Sequence, residues 1–342
     1  MSSPNLYPSS SPVYGAILAA GLGTRLRPMT YHKPKPLVPV FGRPLIEWGM
    51  LALAQAGVKS LGVNAYHLGA QLQKELNFQK IHQELGYSYN PETISLSVVD
   101  EIELLGTGGG LKGIWRELGI TDPSAVMVSI NGDALFDFSL TPLLETHFQH
   151  NAVGTLALRP VEAGDPFGRI GVDADGRVVR IAEVTGPLSH TEVRVGAFTG
   201  AQVMTQEVID RVPDGFCDIF RSAHRTLLES KQEIRAHFVD SKSMWVDVGN
   251  MERYLAAHQA LLEKKNSPLW LHVPQHKFDR GAVLFKGASL SSHLKSAHNL
   301  WLGQDACLNG VHEAKNVVLW PGLKINVNES ELNDEVFITP SS

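Results

Sequence analysis

Residues 14–39, YGAILAAGLGTRLRPMTYHKPKPLVP, decide the fold. The apolar run Ala16-Ile17-Leu18-Ala19-Ala20 reads as a buried strand, and it ends in Gly21-Leu22-Gly23-Thr24-Arg25. A strand that stops at a glycine loop leaves backbone N–H groups free, and such groups favour phosphate. Arg25, Lys33 and Lys35 add mobile positive charge on a stretch too rich in proline for a regular helix. A site built this way suits a polyphosphate.

Two common phosphate loops are excluded. The P-loop needs Gly-Lys-Ser/Thr after four intervening residues, and no such run follows Gly21. The dinucleotide fingerprint, and with it a nicotinamide-dependent dehydrogenase, needs a glycine where Leu26 stands, and Pro28 blocks an immediate helix. An isolated GxG is equally an ordinary strand-to-helix turn. The whole string GLGTRLRP…KPKPL is more specific, and it resembles the signature of the sugar-1-phosphate nucleotidyltransferases, or nucleotide-sugar pyrophosphorylases. The likeness extends over about residues 14–262, and more loosely into the tail.

Composition fits an enzyme of that kind. The chain has 342 residues, 43% apolar and 19% charged, with a formal net charge of −5. That length allows two domains and a sizeable core. The charge balance gives no support to nucleic-acid binding, whose footprint is basic. Cys217 and Cys307 stand far apart with no CxxC pair, which points to a reducing, cytoplasmic setting without disulfides or zinc. No run of eighteen apolar residues offers a membrane span. Residues 1–12, MSSPNLYPSSSP, have no basic n-region or apolar h-region and read as a disordered tail.

From Tyr14 to about His150 strand and helix alternate. Apolar runs at 15–20, 60–65, 94–99 and 125–130 read as strands, and 44–56, 68–76 and 108–118 carry helical spacing. The predicted fold class is α/β, a Rossmann-like, mostly parallel sheet with helices on both faces. In such sheets ligands gather beyond the carboxyl ends of the strands, where Gly21–Arg25 and Asn131-Gly132-Asp133 both fall. Residues 153–160, 168–184 and 192–204 read as antiparallel strands, with Asp175-Gly176 as a hairpin turn. Helical stretches follow at 217–230 and 251–264.

The tail repeats every six residues: Leu284, Leu290, Leu302, Leu308, Trp320, Leu332 and Ile338 share a register, with Ser296, Ala314 and Asn326 filling it. This period marks a short C-terminal left-handed β-helix, suited to homo-oligomerisation or regulation. The expected division is a tail at 1–12, a nucleotidyltransferase domain at 13–265 and the β-helix at 277–340.

The resemblance implies a reaction in which a sugar 1-phosphate oxygen attacks the α-phosphorus of a nucleoside triphosphate and pyrophosphate leaves. Two anionic reactants must be neutralised and aligned, and no protein nucleophile is needed. The implied nucleotide contacts are Leu18, Ala20, Gly21, Gly23 and Thr24, with Arg25 on the departing pyrophosphate. Spacing does not decide between Lys33 and Lys35 for the α-phosphate; the motif position selects Lys35. Mg²⁺ is the implied cofactor, held by Asp133 and by Asp247 of SMWVDVGN. Ser139 and Asn250 are better placed as helix caps than either aspartate, while Asp137, Asp173 and Asp175 read as turn or surface residues.

Gly106, Thr107 and Gly108 of LGTGGG resemble the family's base-recognition loop, where glycine backbone would lie bare against the base. Gly168, Glu183, Thr199 and Gly200 occupy family-like sugar positions. One departure is the absent lysine after Glu183, where Val184 stands; either Arg169 or another basic group takes over, or phosphate binding is weaker. The fourteen histidines form no metal-ligand spacing and read as surface or satisfied core groups.

Among the branches of the family, WVDVGNMERYL and LGTGGG look most like mannose-1-phosphate guanylyltransferases, implying GTP and mannose 1-phosphate as substrates. UDP-sugar synthesis from glucose, N-acetylglucosamine or N-acetylmuramic acid 1-phosphate is the alternative. A non-catalytic nucleotide-sugar sensor is the competing class.

Overall fold

A computed structural model describes residues 11–87, 91–161, 165, 169–186, 191–327 and 331–338. Its contacts divide the chain into two compact units. The first comprises the residues up to Leu22, Gly49–Ala134 and Phe138–Ser243; the second comprises Gly23–Trp48, Leu135–Asp137 and the chain from Met244 onward. This partition differs from the linear boundaries expected from sequence texture, because the basic, proline-rich stretch groups with the C-terminal segment. Within that second unit Phe41 packs edge-on against His258 and tilted against Trp301, and Tyr254 donates its hydroxyl to the Pro39 carbonyl at 2.6 Å.

The first unit is a mixed α/β body on a ten-stranded sheet in which parallel pairing dominates the centre. Strand Val13–Leu18 lies between Ser60–Ala65 and Val126–Asn131, parallel to both, and Ser95–Asp100 continues the parallel set at one edge. A strand enclosed in this way is apolar on both faces, which is why its sequence shows no alternation. Gly62 has no side chain because Ile114, on helix Gly106–Glu117, fills that space.

On the other side of Val126–Asn131 the sheet turns antiparallel, through Arg194–Met204, Arg169–Val172 and Val178–Ile181. The expected antiparallel runs are thus observed: 153–160 as Gly154–Pro160 beside Arg194–Met204, and 168–184 as two strands turned at Asp175-Gly176. The helix expected at 217–230 begins instead as a π-helix, Phe220–His224, before Arg225–Glu229. The sequence reading missed helix Thr141–His150, whose Pro142 stands in its first turn. Cys217 and Cys307 are free thiols, and no helix among the described residues is long and apolar enough to cross a membrane.

In the second unit the tail forms parallel ladders. Ala282 pairs with Leu300, Leu300 with Val317 and Val317 with Glu335, in steps of 18, 17 and 18 residues. A second ladder runs Ser289, Cys307, Lys324. The six-residue period is real, but the 17-residue step slips its phase by one. Leu319, not Trp320, packs inside with Leu284 and Leu302, and Ile325, not Asn326, follows the same shift; Ala297, in register with Ala314, displaces the exposed Ser296 in the opposite sense. Trp320 turns the other way and donates its Nε1–H to Tyr254 Oη at 3.3 Å.

Three histidines are core groups, as the sequence reading expected. Burial pushes His147, His224 and His258 down to about 4 from the usual 6.5. His147 meets Thr155 and His224 meets Gln202, while His258 Nδ1 faces the Tyr254 carbonyl. They stay neutral in the folded chain, whereas the unfolded chain takes up their protons near 6.5. Their contribution is therefore complete above pH 6.5 and is lost as pH falls toward 4, by about 1.4 kcal/mol per pH unit for each histidine. Denaturant titrations between pH 7 and 4.5 should show this slope, and His224→Gln should remove about one proton from it.

Candidate functional site

The first unit brings several of the expected residues to one end of its sheet. Leu18 is in register with Asn131, and the Gly132 N–H donates to the Leu18 carbonyl at 2.9 Å. A Cβ on Gly132 would lie 2.9 Å from that same oxygen, so glycine is required for the two loops to approach. Asp133 therefore leaves its strand beside the start of the Ala19–Gly21 loop. Gly200, at φ +89°, sits in a register break of strand Arg194–Met204, and its bare face abuts the Asn131 side chain. Thr199, just before it, donates its hydroxyl to the Ala157 carbonyl at 2.9 Å. Its side chain thus has a structural partner at a place expected to serve the sugar.

Glu183 lies on an exposed turn after strand Val178–Ile181. The neighbouring Ala182 N–H donates to the Arg169 carbonyl at 3.1 Å, and Arg169 pairs with Ala197. The backbone thus sets Arg169 between the Glu183 turn and the strand carrying Thr199. Arg180 also reaches this turn, donating to the Ala182 carbonyl at 2.7 Å while paired with Glu192. Gly168 lies outside the described residues.

The glycines of LGTGGG pack against a neighbouring segment of the same unit. Cys217 N–H donates to Leu105 O and Gly108 N–H to Cys217 O, both at 2.9 Å. Thr107 Oγ1 accepts from Ile219 N–H at 2.9 Å. Added Cβ atoms would stand 2.5 Å from the Cys217 carbonyl at Gly106, 2.6 Å from Cys217 Sγ at Gly108, and 2.5 Å from the Gly215 carbonyl at Gly109. These bare faces are covered by the segment 215–219 rather than left open.

The second unit gathers the basic residues and the other aspartate. Gly23, at φ +62°, accepts from Thr30 Oγ1 at 2.8 Å, and a Cβ there would lie 3.1 Å from Lys35 Cβ. The proline-rich stretch forms three short 3₁₀ turns, pinned by the fully buried Leu26, Met29 and Leu37. Lys35 is itself buried.

Asp247 ends strand Trp245–Asp247, and Asn250 caps the helix that follows, accepting from Arg253 N–H at 2.9 Å. That cap places Arg253 one turn inside, where Nη1 donates to Asp247 Oδ2 at 2.7 Å. The empty Cβ position of Gly249 stands 3.2 Å from Asp247 Oδ2 and 3.3 Å from Arg25 Nη2. Arg25 and Asp247 thus both border the bare face of Gly249, and Arg253 is a member of the group that sequence reading missed. Asp137 is buried rather than at the surface, accepting from Met244 N–H at 2.7 Å, Ser267 Oγ at 2.9 Å and Lys264 at 2.7 Å. It is a structural acceptor.

Among the described residues no group of three or more His, Cys, Asp or Glu side chains forms a metal cage. Magnesium needs less, since it takes one or two carboxylates and fills its sphere with phosphate oxygens and water. Asp133 and Asp247 supply donors of that hard, anionic kind.

A parallel-centred sheet with a glycine loop and a carboxylate at its carboxyl end defines a nucleotide-binding α/β protein. The nucleotidyl transferase family model matches residues 14–264, and the chain belongs to that family. It is 29% identical over 253 residues to the UTP–glucose-1-phosphate uridylyltransferase of Synechocystis sp., covering 73% of this chain and 63% of that protein. The mannose-1-phosphate guanyltransferase of Candida albicans is 32% identical over 242 residues, 71% of this chain and 62% of its own length. The mannose-1-phosphate guanylyltransferase of Mycobacterium tuberculosis is 28% identical over 318 residues, 92% and 81% respectively. The chain thus spans just under two thirds of the cyanobacterial and fungal relatives. The crystal structure of HddC from Yersinia pseudotuberculosis complexed with GMP-PN shares the fold, at TM-score 0.52 and 22% identity, covering 71% of this chain and 96% of that one.

Gly21 offers a clean test of the loop, because an added Cβ there meets nothing within 4 Å and its φ is not positive. Gly21→Ala should shift stability by less than about 0.5 kcal/mol, while weakening nucleoside triphosphate binding about tenfold by calorimetry. Gly109→Ala should do the reverse, lowering the melting temperature by displacing the Gly215 carbonyl.

Proposed function

We propose that the protein transfers a nucleotidyl group from a nucleoside triphosphate to a sugar 1-phosphate, giving a nucleotide sugar and pyrophosphate. The observation that carries this reading is the register of Leu18 with Asn131, which sets the glycine loop beside the loop of Asp133. The sugar phosphate oxygen attacks the α-phosphorus, the bond to the β-phosphate oxygen breaks, and pyrophosphate departs with its electron pair. The backbone N–H groups from Gly21 to Thr24 bind the phosphates, Arg25 neutralises charge on the leaving pyrophosphate, and Lys35 holds the α-phosphate. Leu18 and Ala20 line the nucleotide, Gly106, Thr107 and Gly108 border the base, and Gly168, Glu183, Thr199 and Gly200 border the sugar.

Asp133 and Asp247 would hold Mg²⁺, which when bound neutralises phosphate charge and orients the triphosphate. Arg253, which donates to Asp247 Oδ2, would orient that carboxylate. GTP and mannose 1-phosphate are the substrates the guanylyltransferase relatives favour. The uridylyltransferase relative supports UTP and glucose 1-phosphate as the second reading. The C-terminal ladders we read as a left-handed β-helix over 277–340, suited to self-association or regulation, following a transferase domain at 13–265. The steps of 17 and 18 residues support that reading, since three six-residue sides make one coil.

A panel of the four nucleoside triphosphates against sugar 1-phosphates, read by pyrophosphate release, tests the proposal. Asp133→Asn and Asp247→Asn should each lower kcat/KM at least about a hundredfold, roughly 3 kcal/mol of transition-state stabilisation, with unchanged circular dichroism. Tight nucleotide-sugar binding without turnover on any pair would replace this reading with a non-catalytic sensor.

A further inference from the structure

Behind the glycine loop the first unit contains a buried polar relay that none of the roles above uses. The Ala19 N–H donates to Asn64 Oδ1 at 2.7 Å, Asn64 Nδ2 donates to Glu101 Oε1 at 2.6 Å, and the Leu105 N–H donates to Glu101 Oε2 at 3.0 Å. Asn64 and Glu101 are both buried. The two ends of the relay are the first residue after strand Val13–Leu18 and the residue before helix Gly106–Glu117. Gly110, with its empty Cβ position 2.5 Å from Asn64 Nδ2 and 3.0 Å from Glu101 Oε1, lets that helix close over the pair.

The polarity of this relay is not free. Both ends are backbone N–H groups, which can only donate. Ala19 fixes the Asn64 amide with its oxygen toward residue 19, so its NH₂ must point at residue 101. Residue 101 then receives a donor from each side and must be a double acceptor, which among side chains of this length only a carboxylate supplies. A buried polar group with a mismatched partner costs more than the bond is worth, so the arrangement is specified and not merely tolerated.

We propose that Asn64 and Glu101 are positioning residues that hold the phosphate loop after Leu18 in register with the Leu105–Gly106 loop, so that one nucleotide meets both. The proposal rests on the transferase reading for the identity of the ligand. The relay itself is independent of it. Neither side chain is assigned a contact with substrate. Each acts through the backbone it holds.

The polarity argument supplies its own test. Glu101→Gln turns an NH₂ toward a donor, and Asn64→Asp sets two carboxylates against each other. The double variant N64D/E101Q reverses the relay. The carboxylate, now at position 64, accepts from the Ala19 N–H and from the amide NH₂ at position 101, and the oxygen of that amide accepts from the Leu105 N–H. The exchange keeps net charge and restores every bond. On the full chain, each single variant should weaken Mg²⁺–nucleoside triphosphate binding by about tenfold or more and raise KM for the triphosphate, with KM for the sugar phosphate unchanged. The double variant should return within about threefold of wild type. Hydrogen exchange without ligand should show protection of the segments holding Ala19 and Leu105 lost in the singles and regained in the double.

Folded singles with wild-type triphosphate affinity would overturn the proposal, as would a lowered melting temperature with no change in KM. A double variant no better than the singles, in binding or in exchange, would also overturn it. If the singles do not fold, the double decides alone: recovery of fold and binding supports the relay, and failure of either refutes it. Should the wild-type chain bind no triphosphate, the transferase reading falls while the exchange data still judge the relay.

Discussion

Leu18 stands in register with Asn64 on one side and Asn131 on the other, and the candidate site of the first unit is laid out from that row. Parallel strands all deliver their chain in the same direction, so their carboxyl ends release loops at one edge of the sheet. The two asparagines are spent differently. Asn64 turns inward to satisfy the Ala19 N–H, while Asn131 meets the bare face of Gly200. A slip against Val126–Asn131 would separate Gly132 from the Leu18 carbonyl, and a flip of Ser60–Ala65 would put a side chain where Gly62 leaves room for Ile114. Core packing and site geometry therefore enforce the same register.

In the second unit the organising feature is a carboxylate among guanidinium groups. Asp247 accepts from Arg253, and both it and Arg25 crowd the empty side of Gly249. Positive charge is held close to the carboxylate by the short, charge-assisted bond from Arg253.

Much of this was legible in the sequence, and the failures have physical causes. The buried parallel strands were visible because enclosure on both faces leaves a continuous apolar run. Asp133 stood out at the mouth of the buried run 125–130, and Asp247 because SMWVDVGN resembles a string of the family. The period of the tail was visible but its phase was not, since one 17-residue step moves Leu319 inward and Trp320 out. Arg253 reads as an ordinary solvated helix charge until the Asn250 cap fixes which way it faces. Asn64 and Glu101 are separated from their partners by 45 and 37 residues in two of their bonds, and no local pattern announces such pairs.

Glycine shows most clearly what sequence alone confuses. Gly21 and the run Gly106–Gly110 look alike as flexible, phosphate- or base-cradling loops. The fold separates them, because the second run is required by internal neighbours: the carbonyls of Cys217 and Gly215, the Cys217 sulfur, and the Asn64–Glu101 pair. Gly21 meets neither of the two demands that ordinarily fix a glycine. Its φ is not positive and its open side faces nothing within 4 Å, whereas the other described glycines with an equally open side all have positive φ. Packing and backbone conformation would both accept a side chain at Gly21. Open backbone just beyond the carboxyl end of a parallel strand is the kind of place where phosphates bind, which is why the proposed triphosphate site begins at Gly21.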